Sequence, residues 1–170
     1  AKVVTQNNFP SSSGIASSAS GFAALSMAGC ASAGLKLSEK ELTILARIGS
    51  GSACRSIPDG FVEWGAGENS ETSFAHSLYS PNYWDLRDII LIVNSTEKKV
   101  GSSKGMENVW SSPLMDKRLK TQDVRLKKIK DALAKKDFIL LGEAMEADCL
   151  SMHAVMQSQV PPLFYWTKET

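Results

Sequence analysis

The stretch from Ser11 to Gly34 constrains the fold of this chain more than any other, because serine, glycine and alanine supply 19 of its 24 residues. Such a composition is compatible with a flexible linker. However, Ile15, Phe22 and Leu25 stand at i, i+7 and i+10, which places them on one face of a helix. We therefore predict a helix that ends at Gly34, whose small side chains let its backbone approach a neighbouring element or a ligand closely.

The overall composition is typical of a globular chain with one or two small domains. Its 170 residues are 43% hydrophobic and 22% charged, with a formal net charge of +1. The longest apolar run spans five residues, Ile89 to Val93, far fewer than a membrane span needs, and no charged-then-apolar leader precedes Ala1. The charge balance is also too even for a nucleic-acid binder. We expect a soluble protein that binds neither membranes nor nucleic acid.

The cysteines indicate the redox environment. There are three of them, Cys30, Cys54 and Cys149, and no two form a C-x-x-C pair. An odd number without that spacing argues against a disulfide framework and against a zinc site. We expect reduced thiols in a cytoplasmic protein.

Local signals predict several elements in the first half of the chain. The sequence Ser38-Glu39-Lys40-Glu41 matches a capping box, S-x-x-E, and predicts a helix that ends near Gly49. Residues 61–64 predict a strand and residues 65–81 an irregular polar loop. The apolar run within residues 88–94 predicts a short buried strand. We place a domain boundary just before that strand, which gives domains of residues 1–85 and 86–170.

The second half of the chain is predicted to be mainly helical. Ser112-Pro113 is typical of an N-cap followed by proline at the first helical position. The nine lysines and arginines between Lys117 and Lys136 predict a basic helix face exposed to solvent. A further helix is expected from about Asp137, and residues 163–166 have the composition of a strand or an aromatic turn. The regular spacing of five side chains predicts the buried stripe of that helix: Leu141, Met145, Cys149, Met152 and Met156.

The sharpest chemical signal is the glycine- and serine-rich turn of residues 10–19, which opens the first predicted helix. Helix N-termini present unpaired N–H groups and the positive end of the helix dipole, and hydroxyl groups add further hydrogen bonds. Together these groups form a cradle suited to phosphate. The turn lacks the lysine of a Walker A loop, G-x-x-x-x-G-K-[ST]. Composition alone leaves open the alternative that this is only a helix packed tightly against a sheet.

Four blocks of sequence resemble one known family. Residues 7–21 resemble the phosphate-binding motif of the GHMP kinase superfamily, in the form found in diphosphomevalonate decarboxylases. Residues 47–56, Arg47-Ile48-Gly49-Ser50-Gly51-Ser52-Ala53-Cys54-Arg55-Ser56, are similar to the substrate-binding signature of the same decarboxylases. Two later blocks, residues 101–106 and residues 151–154 with 161–165, are similar to family segments in the same order.

The resemblance implies an α+β fold of the GHMP kinase type, of which this chain would be an interior portion. That fold has a ribosomal protein S5 domain 2-like N-terminal domain and a ferredoxin-like C-terminal domain. The implied enzyme is a cytoplasmic homodimer that uses ATP and Mg²⁺ to phosphorylate the 3-hydroxyl of mevalonate 5-diphosphate. It then releases phosphate and carbon dioxide to leave isopentenyl diphosphate. The family's catalytic base, an aspartate, is expected beyond the last residue of this chain.

The resemblance also implies roles for individual residues. Arg55 and Ser52 are the expected catalytic residues, with Arg55 gripping the substrate carboxylate bidentately and Ser50 and Ser52 hydrogen-bonding the substrate beside it. Ser102 and Ser103 are candidates for binding the substrate diphosphate, and Ser17 for binding magnesium. The residues expected to hold the ATP phosphates are Ser11, Ser12, Ser13, Gly14, Ala16, Ser17 and Ser18.

Several alternatives stay open at this point. Related enzymes decarboxylate mevalonate 5-monophosphate, and these residues do not separate the two substrates. Ser103 lies in a G-x-S-x-G pattern with His153 downstream, so a serine hydrolase is a competing hypothesis. A non-catalytic fragment is another. Structural roles are the ordinary alternatives for single residues: a surface ion pair for Arg55, helix caps for Ser50 and Ser52, and core packing for His153.

Overall fold

The computed structural model describes residues 2–9, 15–91, 105–166, 168 and 170. These residues form two compact units. The described part of the first unit ends at Leu91, and that of the second begins at Gly105. No helix within the described ranges is both long and apolar enough to cross a bilayer.

The first unit contains two helices, a short 3₁₀ helix and a hairpin. Helix α1 spans Ser17–Ser32 and helix α2 spans Glu39–Gly49. The 3₁₀ helix Gly51–Ser56 follows directly. Strands β1 (Phe61–Trp64) and β2 (Ala75–Tyr79) then pair antiparallel.

Helix α1 confirms the helix expected from the small-residue stretch. Its end is a Schellman motif, in which Gly34 has a φ of 70° and the N–H of Leu35 donates to the Cys30 carbonyl at 2.9 Å. Its buried side chains are Ala19, Ala23 and Cys30. The larger apolar residues Ile15, Phe22 and Leu25 are 38–39% exposed, so the buried face of this helix consists of small side chains.

Helix α2 begins with the predicted capping box. The Glu41 N–H donates to Ser38 Oγ, while the N–H and the hydroxyl of Ser38 both donate to Glu41 Oε2, at 2.7 and 2.6 Å. Further along, Thr43 is fully buried. Its hydroxyl donates to the Lys40 carbonyl and accepts a hydrogen bond from the Ala75 N–H at 3.3 Å, which ties α2 to β2.

The hairpin corrects the sequence interpretation of residues 65–81. The predicted strand at 61–64 is confirmed, but the expected irregular loop contains strand β2, with Trp64 opposite Ala75 and Glu63 opposite His76. The connecting turn is closed by Asn69 and Thr72, whose side-chain oxygens accept hydrogen bonds from four backbone N–H groups. The polar composition of residues 65–81 did not indicate a strand, because β2 is stabilised by its pairing with β1 and not by its own sequence.

The second unit is helical in its described part. After the 3₁₀ helix Val109–Ser111, helices α3 (Met115–Lys120), α4 (Gln122–Lys135) and α5 (Phe138–Ser158) follow. The Asp137 carboxylate caps α5 by accepting from the Leu140 N–H at 3.0 Å, as a helix from about Asp137 requires. Val109, Val155 and Met156 form the core cluster of this unit.

Two predictions for the helices of this unit are wrong in detail. Helix α3 begins at Met115, not at Pro113; the Ser112 hydroxyl accepts from the Leu114 N–H and bonds to Ser158 Oγ. Leu141 and Met156 of the predicted stripe are buried and Met152 packs against the core cluster, but Met145 and Cys149 are exposed. Ala144 and Val155 complete the buried side of α5.

Three further expectations differ from the structure in whole or in part. The basic face is not wholly solvated, since Arg118 and Arg125 both pair with Asp148, at 2.9 and 2.8 Å, and keep less than a fifth of their side chains exposed. No strand forms in residues 88–91, and residues 92–94 lie outside the described part of the chain. Residues 163–166 form no strand; Leu163 and Tyr165 pack on the core cluster.

The capping box predicts a pH-dependent contribution to stability. Hydrogen bonds from the Ser38 hydroxyl and N–H hold the pKa of Glu41 below its ordinary value of 4.5. This stabilisation is therefore fully present above that ordinary value and is lost as the pH falls through the folded-state pKa. Glu41→Gln should lower the urea midpoint at neutral pH, and the difference from wild type should shrink below about pH 4. Glu39→Gln is the matched control, because Glu39 lies in the same first turn outside the box; an equal pH response of both variants would contradict the assignment.

The close approach of α1 and α2 gives a second stability prediction. A Cβ at Gly49 would overlap the Phe22 ring, whereas one at Gly21, inside α1, would meet no atom within 4 Å. Gly49→Ala should therefore lower the free energy of unfolding by about 1–3 kcal/mol. Gly21→Ala should raise it by about 0.5–1 kcal/mol, because alanine loses less entropy in a helix. Chemical denaturation measures both, and equal effects would show that the two helices do not meet at Gly49.

Candidate functional site

The candidate site is built around the 3₁₀ helix Gly51–Ser56, which holds the predicted site residues Ser52 and Arg55 and is preceded by a third, Ser50. Ser50 leaves α2 in an extended conformation, with φ −152° and ψ 124°, and its carbonyl accepts the Ala53 N–H at 2.9 Å. Ala53 and Cys54 are fully buried, whereas Ser52 is half-buried and Arg55 is exposed. The turn is thus anchored in its middle and presents Arg55 at the surface.

Cys54 anchors this turn and is not a nucleophile. Its Sγ atom donates to the Gly51 carbonyl at 3.1 Å. Burial raises the pKa of the Cys54 thiol above its ordinary value, although the positive charges of Arg55 and Arg47 act in the opposite direction. The group is therefore a neutral thiol at physiological pH.

Arg55 lies over an aromatic face instead of beside a carboxylate. Its Cζ atom is 5.6 Å from the centroid of the Trp64 ring. Within the described part of the chain, the Arg55 guanidinium forms neither an ion pair nor a hydrogen bond. The surface ion pair considered as the ordinary role for this arginine is therefore not formed among those residues, and none of them accepts from its five N–H donors.

A hydrogen bond joins the two motifs that the sequence analysis singled out. Ser18 Oγ, in the first turn of α1, is 3.2 Å from Ser50 Oγ, at the end of α2. Ala16 precedes α1 in a left-handed conformation, with φ 52°, and provides no side-chain cap. The structure therefore brings Ser17 and Ser18 at the helix N-terminus to the start of the arginine-bearing turn.

Other predicted site residues lie outside the described part of the chain. These are Ser11, Ser12, Ser13 and Gly14 of the phosphate cradle, and Ser102 and Ser103. The site therefore rests on Ala16, Ser17, Ser18 and the turn of residues 50–55.

His153 has an aromatic environment in the second unit. Its ring is 4.1 Å from the Trp166 ring, with an interplanar angle of 31°, and 6.3 Å from the Tyr165 ring. Among the residues that the structure describes, no group of three or more His, Cys, Asp or Glu side chains is arranged to hold a metal ion. The ring contacts agree with core packing as the role of His153.

Sequence reasoning missed the side chains that support the turn. Trp64 Nε1 donates to Ser73 Oγ at 2.9 Å, and the Arg47 guanidinium donates to the carbonyl and hydroxyl oxygens of Ser70, both at 2.9 Å. Each contact joins residues that only the hairpin brings together. The strand predicted at residues 61–64 includes Trp64, but no local sequence pattern indicated a role for Ser70 or Ser73.

Family models match nearly the whole chain. The model of the diphosphomevalonate decarboxylase-like N-terminal domain matches residues 1–75, and that of the mevalonate 5-diphosphate decarboxylase C-terminal domain matches residues 88–170. The boundary expected at residues 85/86 stays a prediction.

Individual relatives agree with these models. A diphosphomevalonate decarboxylase of Aspergillus fumigatus is 39% identical over 96% of this chain and 42% of its own length. A solved structure named "MDDEF in complex with MVAPP, AMPPCP and Magnesium" covers 94% of this chain and 50% of its own, with 39% identity and a TM-score of 0.81. The mevalonate diphosphate decarboxylase from Enterococcus faecalis covers 94% and 49%, with 38% identity and a TM-score of 0.79.

The similarity extends along both units, and it confirms the resemblance seen in the four sequence blocks. The solved structures confirm the α+β fold of the GHMP kinase type. This chain belongs to the diphosphomevalonate decarboxylase family, and it spans less than half the length of the curated relatives that it matches.

Proposed function

We propose that this chain serves the ATP-dependent decarboxylation of mevalonate 5-diphosphate to isopentenyl diphosphate, the reaction of a carboxy-lyase. The observation that carries the proposal is the exposed Arg55 on a turn anchored by buried Ala53 and Cys54. Its guanidinium has no carboxylate partner within the described residues. The named activity of the relatives supports the same assignment.

Arg55 has the chemistry that the substrate carboxylate requires. A guanidinium is planar, permanently charged and able to donate two parallel hydrogen bonds to a carboxylate. When phosphate leaves C3 of the substrate, positive charge develops there, and the electrons of the bond between C2 and the carboxylate form the alkene as carbon dioxide departs. Arg55 would orient that carboxylate for the step. Ser50 and Ser52 would hydrogen-bond the substrate beside it.

The start of α1 suits the phosphates of ATP. Ser17 and Ser18 provide hydroxyl groups at a helix N-terminus, where the dipole favours negative charge. Mg²⁺ in such sites takes one or two protein oxygens together with phosphate oxygens and water, so the Ser17 hydroxyl fits as a ligand. ATP would supply the phosphoryl group that makes the 3-hydroxyl a good leaving group. Ser11, Ser12, Ser13, Gly14 and Ala16 would complete the cradle.

The remaining parts of the proposal rest on the family resemblance. Ser102 and Ser103 would bind the substrate diphosphate, and an aspartate outside this chain would act as the base. The enzyme would be a cytoplasmic homodimer. Its domains would divide near residues 85/86, close to the boundary between the two compact units at Leu91.

Replacement of Arg55 tests the carboxylate role. In the native protein, Arg55→Ala should lower kcat/KM for mevalonate 5-diphosphate by at least about a hundredfold, because the charge and the bidentate geometry are both lost. Arg55→Lys should recover only part of this loss, since an ammonium cannot form the paired hydrogen bonds. Coupled measurement of phosphate release gives these values, while the KM for ATP should stay close to wild type.

Arg87→Ala is the matched control for this experiment. Arg87 is an exposed arginine of the same unit, and it pairs with Asp85 at 3.0 Å. Its replacement removes the same charge from the surface and should leave kcat/KM unchanged. Wild-type turnover by Arg55→Ala would overturn the carboxylate role.

Product analysis tests the substrate and the reaction class. With Mg-ATP and mevalonate 5-diphosphate, the native protein should release phosphate, carbon dioxide and isopentenyl diphosphate in equal amounts. Turnover of mevalonate 5-monophosphate alone would assign it to the monophosphate-specific enzymes.

Calorimetry with Mg-ATP addresses the non-catalytic alternative, since a protein that neither binds the nucleotide nor turns over either substrate would contradict the proposal. Ester hydrolysis with labelling of Ser103 by a serine-directed phosphonate would instead support the hydrolase.

A further inference from the structure

We infer that Trp64, held in place by Ser73, is a positioning residue that fixes the Arg55 guanidinium for the substrate carboxylate. The inference rests on the carboxylate role proposed above for Arg55. It adds two residues of the hairpin, neither of which touches the substrate itself, to the set on which the reaction depends.

The need for a positioning residue follows from the exposure of Arg55. A long, exposed arginine samples many rotamers, and ordering it on substrate binding costs conformational entropy. The Trp64 ring lies within cation–π distance, with 5.6 Å between the Arg55 Cζ atom and the ring centroid. Since Arg55 forms no ion pair within the described residues, the ring face restrains the guanidinium without occupying its N–H donors.

The Trp64 ring is itself held by a hydrogen bond from its indole N–H. Its Nε1 donates to Ser73 Oγ at 2.9 Å, and that hydroxyl donates in turn to the Gly65 carbonyl at 3.2 Å. Ser73 is only 7% exposed, so this short relay is shielded from water. At the other edge, Trp64 Cη2 lies beside Gly51, with just enough room for a Cβ between them, since a Cβ there would be 3.5 Å from Cη2. The indole is therefore held through its Nε1 edge and carries Arg55 on its face.

A second cation–π contact in the first unit provides a control for the contact between Arg55 and Trp64. The hairpin offers a comparison, because Lys40 Nζ lies 4.6 Å from the centroid of the Phe74 ring. Lys40 is in the first turn of α2 and belongs to neither sequence motif. The same type of contact therefore occurs twice among the described residues of this unit, and of these two only the one at Trp64 involves a residue of the candidate site. Phe74→Leu is thus a matched control for the loss of an aromatic face beneath a cation.

The test compares four variants of the native protein: Trp64→Leu, Trp64→Phe, Ser73→Ala and Phe74→Leu. Trp64→Leu should raise the KM for mevalonate 5-diphosphate and lower kcat/KM by about tenfold, while the KM for ATP stays within about twofold of wild type. Trp64→Phe keeps a ring face and should recover part of the loss. Ser73→Ala should cause a smaller loss of the same kind. Phe74→Leu should leave both KM values unchanged, even where its Tm falls.

A double-mutant cycle separates positioning from folding. The dissociation constant for mevalonate 5-diphosphate is measured by calorimetry for wild type, Trp64→Leu, Arg55→Ala and the double variant. If Trp64 acts through Arg55, Trp64→Leu should weaken binding several-fold in the wild-type background and should have almost no effect once Arg55 is alanine. Ser73→Ala in place of Trp64→Leu gives the same cycle with a smaller perturbation of the fold.

Two results would overturn the inference, and a third would place the failure elsewhere. Unchanged kinetics in Trp64→Leu with a native Tm would show that the ring does not position Arg55. Equal losses of binding with and without Arg55 would show that Trp64 acts only through folding. If Arg55→Ala itself binds mevalonate 5-diphosphate like wild type, the proposed carboxylate role is wrong, and the positioning role fails with it.

Discussion

The first unit depends on one buried hydroxyl group, that of Thr43. It donates to the Lys40 carbonyl at 2.8 Å inside α2 and accepts the Ala75 N–H at 3.3 Å from β2. Because Thr43 is fully buried, water cannot replace either partner, and an unpaired N–H at Ala75 would be costly. This bond fixes the hairpin against α2. Since α2 continues directly into the turn that carries Arg55, it also sets the position of Trp64 relative to that arginine.

The small residues of α1 and α2 let these two helices pack closely. Ala19 and Ala23 are almost completely buried on α1, and Gly49 ends α2 where the Phe22 ring leaves no room for a Cβ. Larger side chains would hold the two helices apart. Their close approach is what lets Ser18 and Ser50, 32 residues apart, come within 3.2 Å. The small-residue composition, which is also compatible with a linker, thus allows the motifs of residues 7–21 and 47–56 to come into contact.

How far the sequence predicted this structure depends on the range of each interaction. The capping box of Ser38 and Glu41 and the Schellman end at Gly34 are local, so their patterns identified them correctly. Strand β2 was missed because its evidence is its pairing with β1. The missed Trp64–Ser73 bond depends on that hairpin, and the Asp148 ion pairs depend on helix packing. The motif placed Arg55 and Ser50 in a site, but only the structure shows which side chains support them.

The arginines show why the turn is suited to binding. In the described part of the chain, Arg47 donates to Ser70, Arg87 pairs with Asp85, and Arg118 and Arg125 pair with Asp148. Among the same residues, the Arg55 guanidinium has an aromatic face beside it and no oxygen partner. An internal carboxylate at that position would have to be displaced before a ligand carboxylate could bind, and the exchange would cancel much of the binding energy. On the proposed carboxylate role, a ring face would restrain the cation without that competition, so the guanidinium would be ordered in advance and its hydrogen bonds left for the substrate.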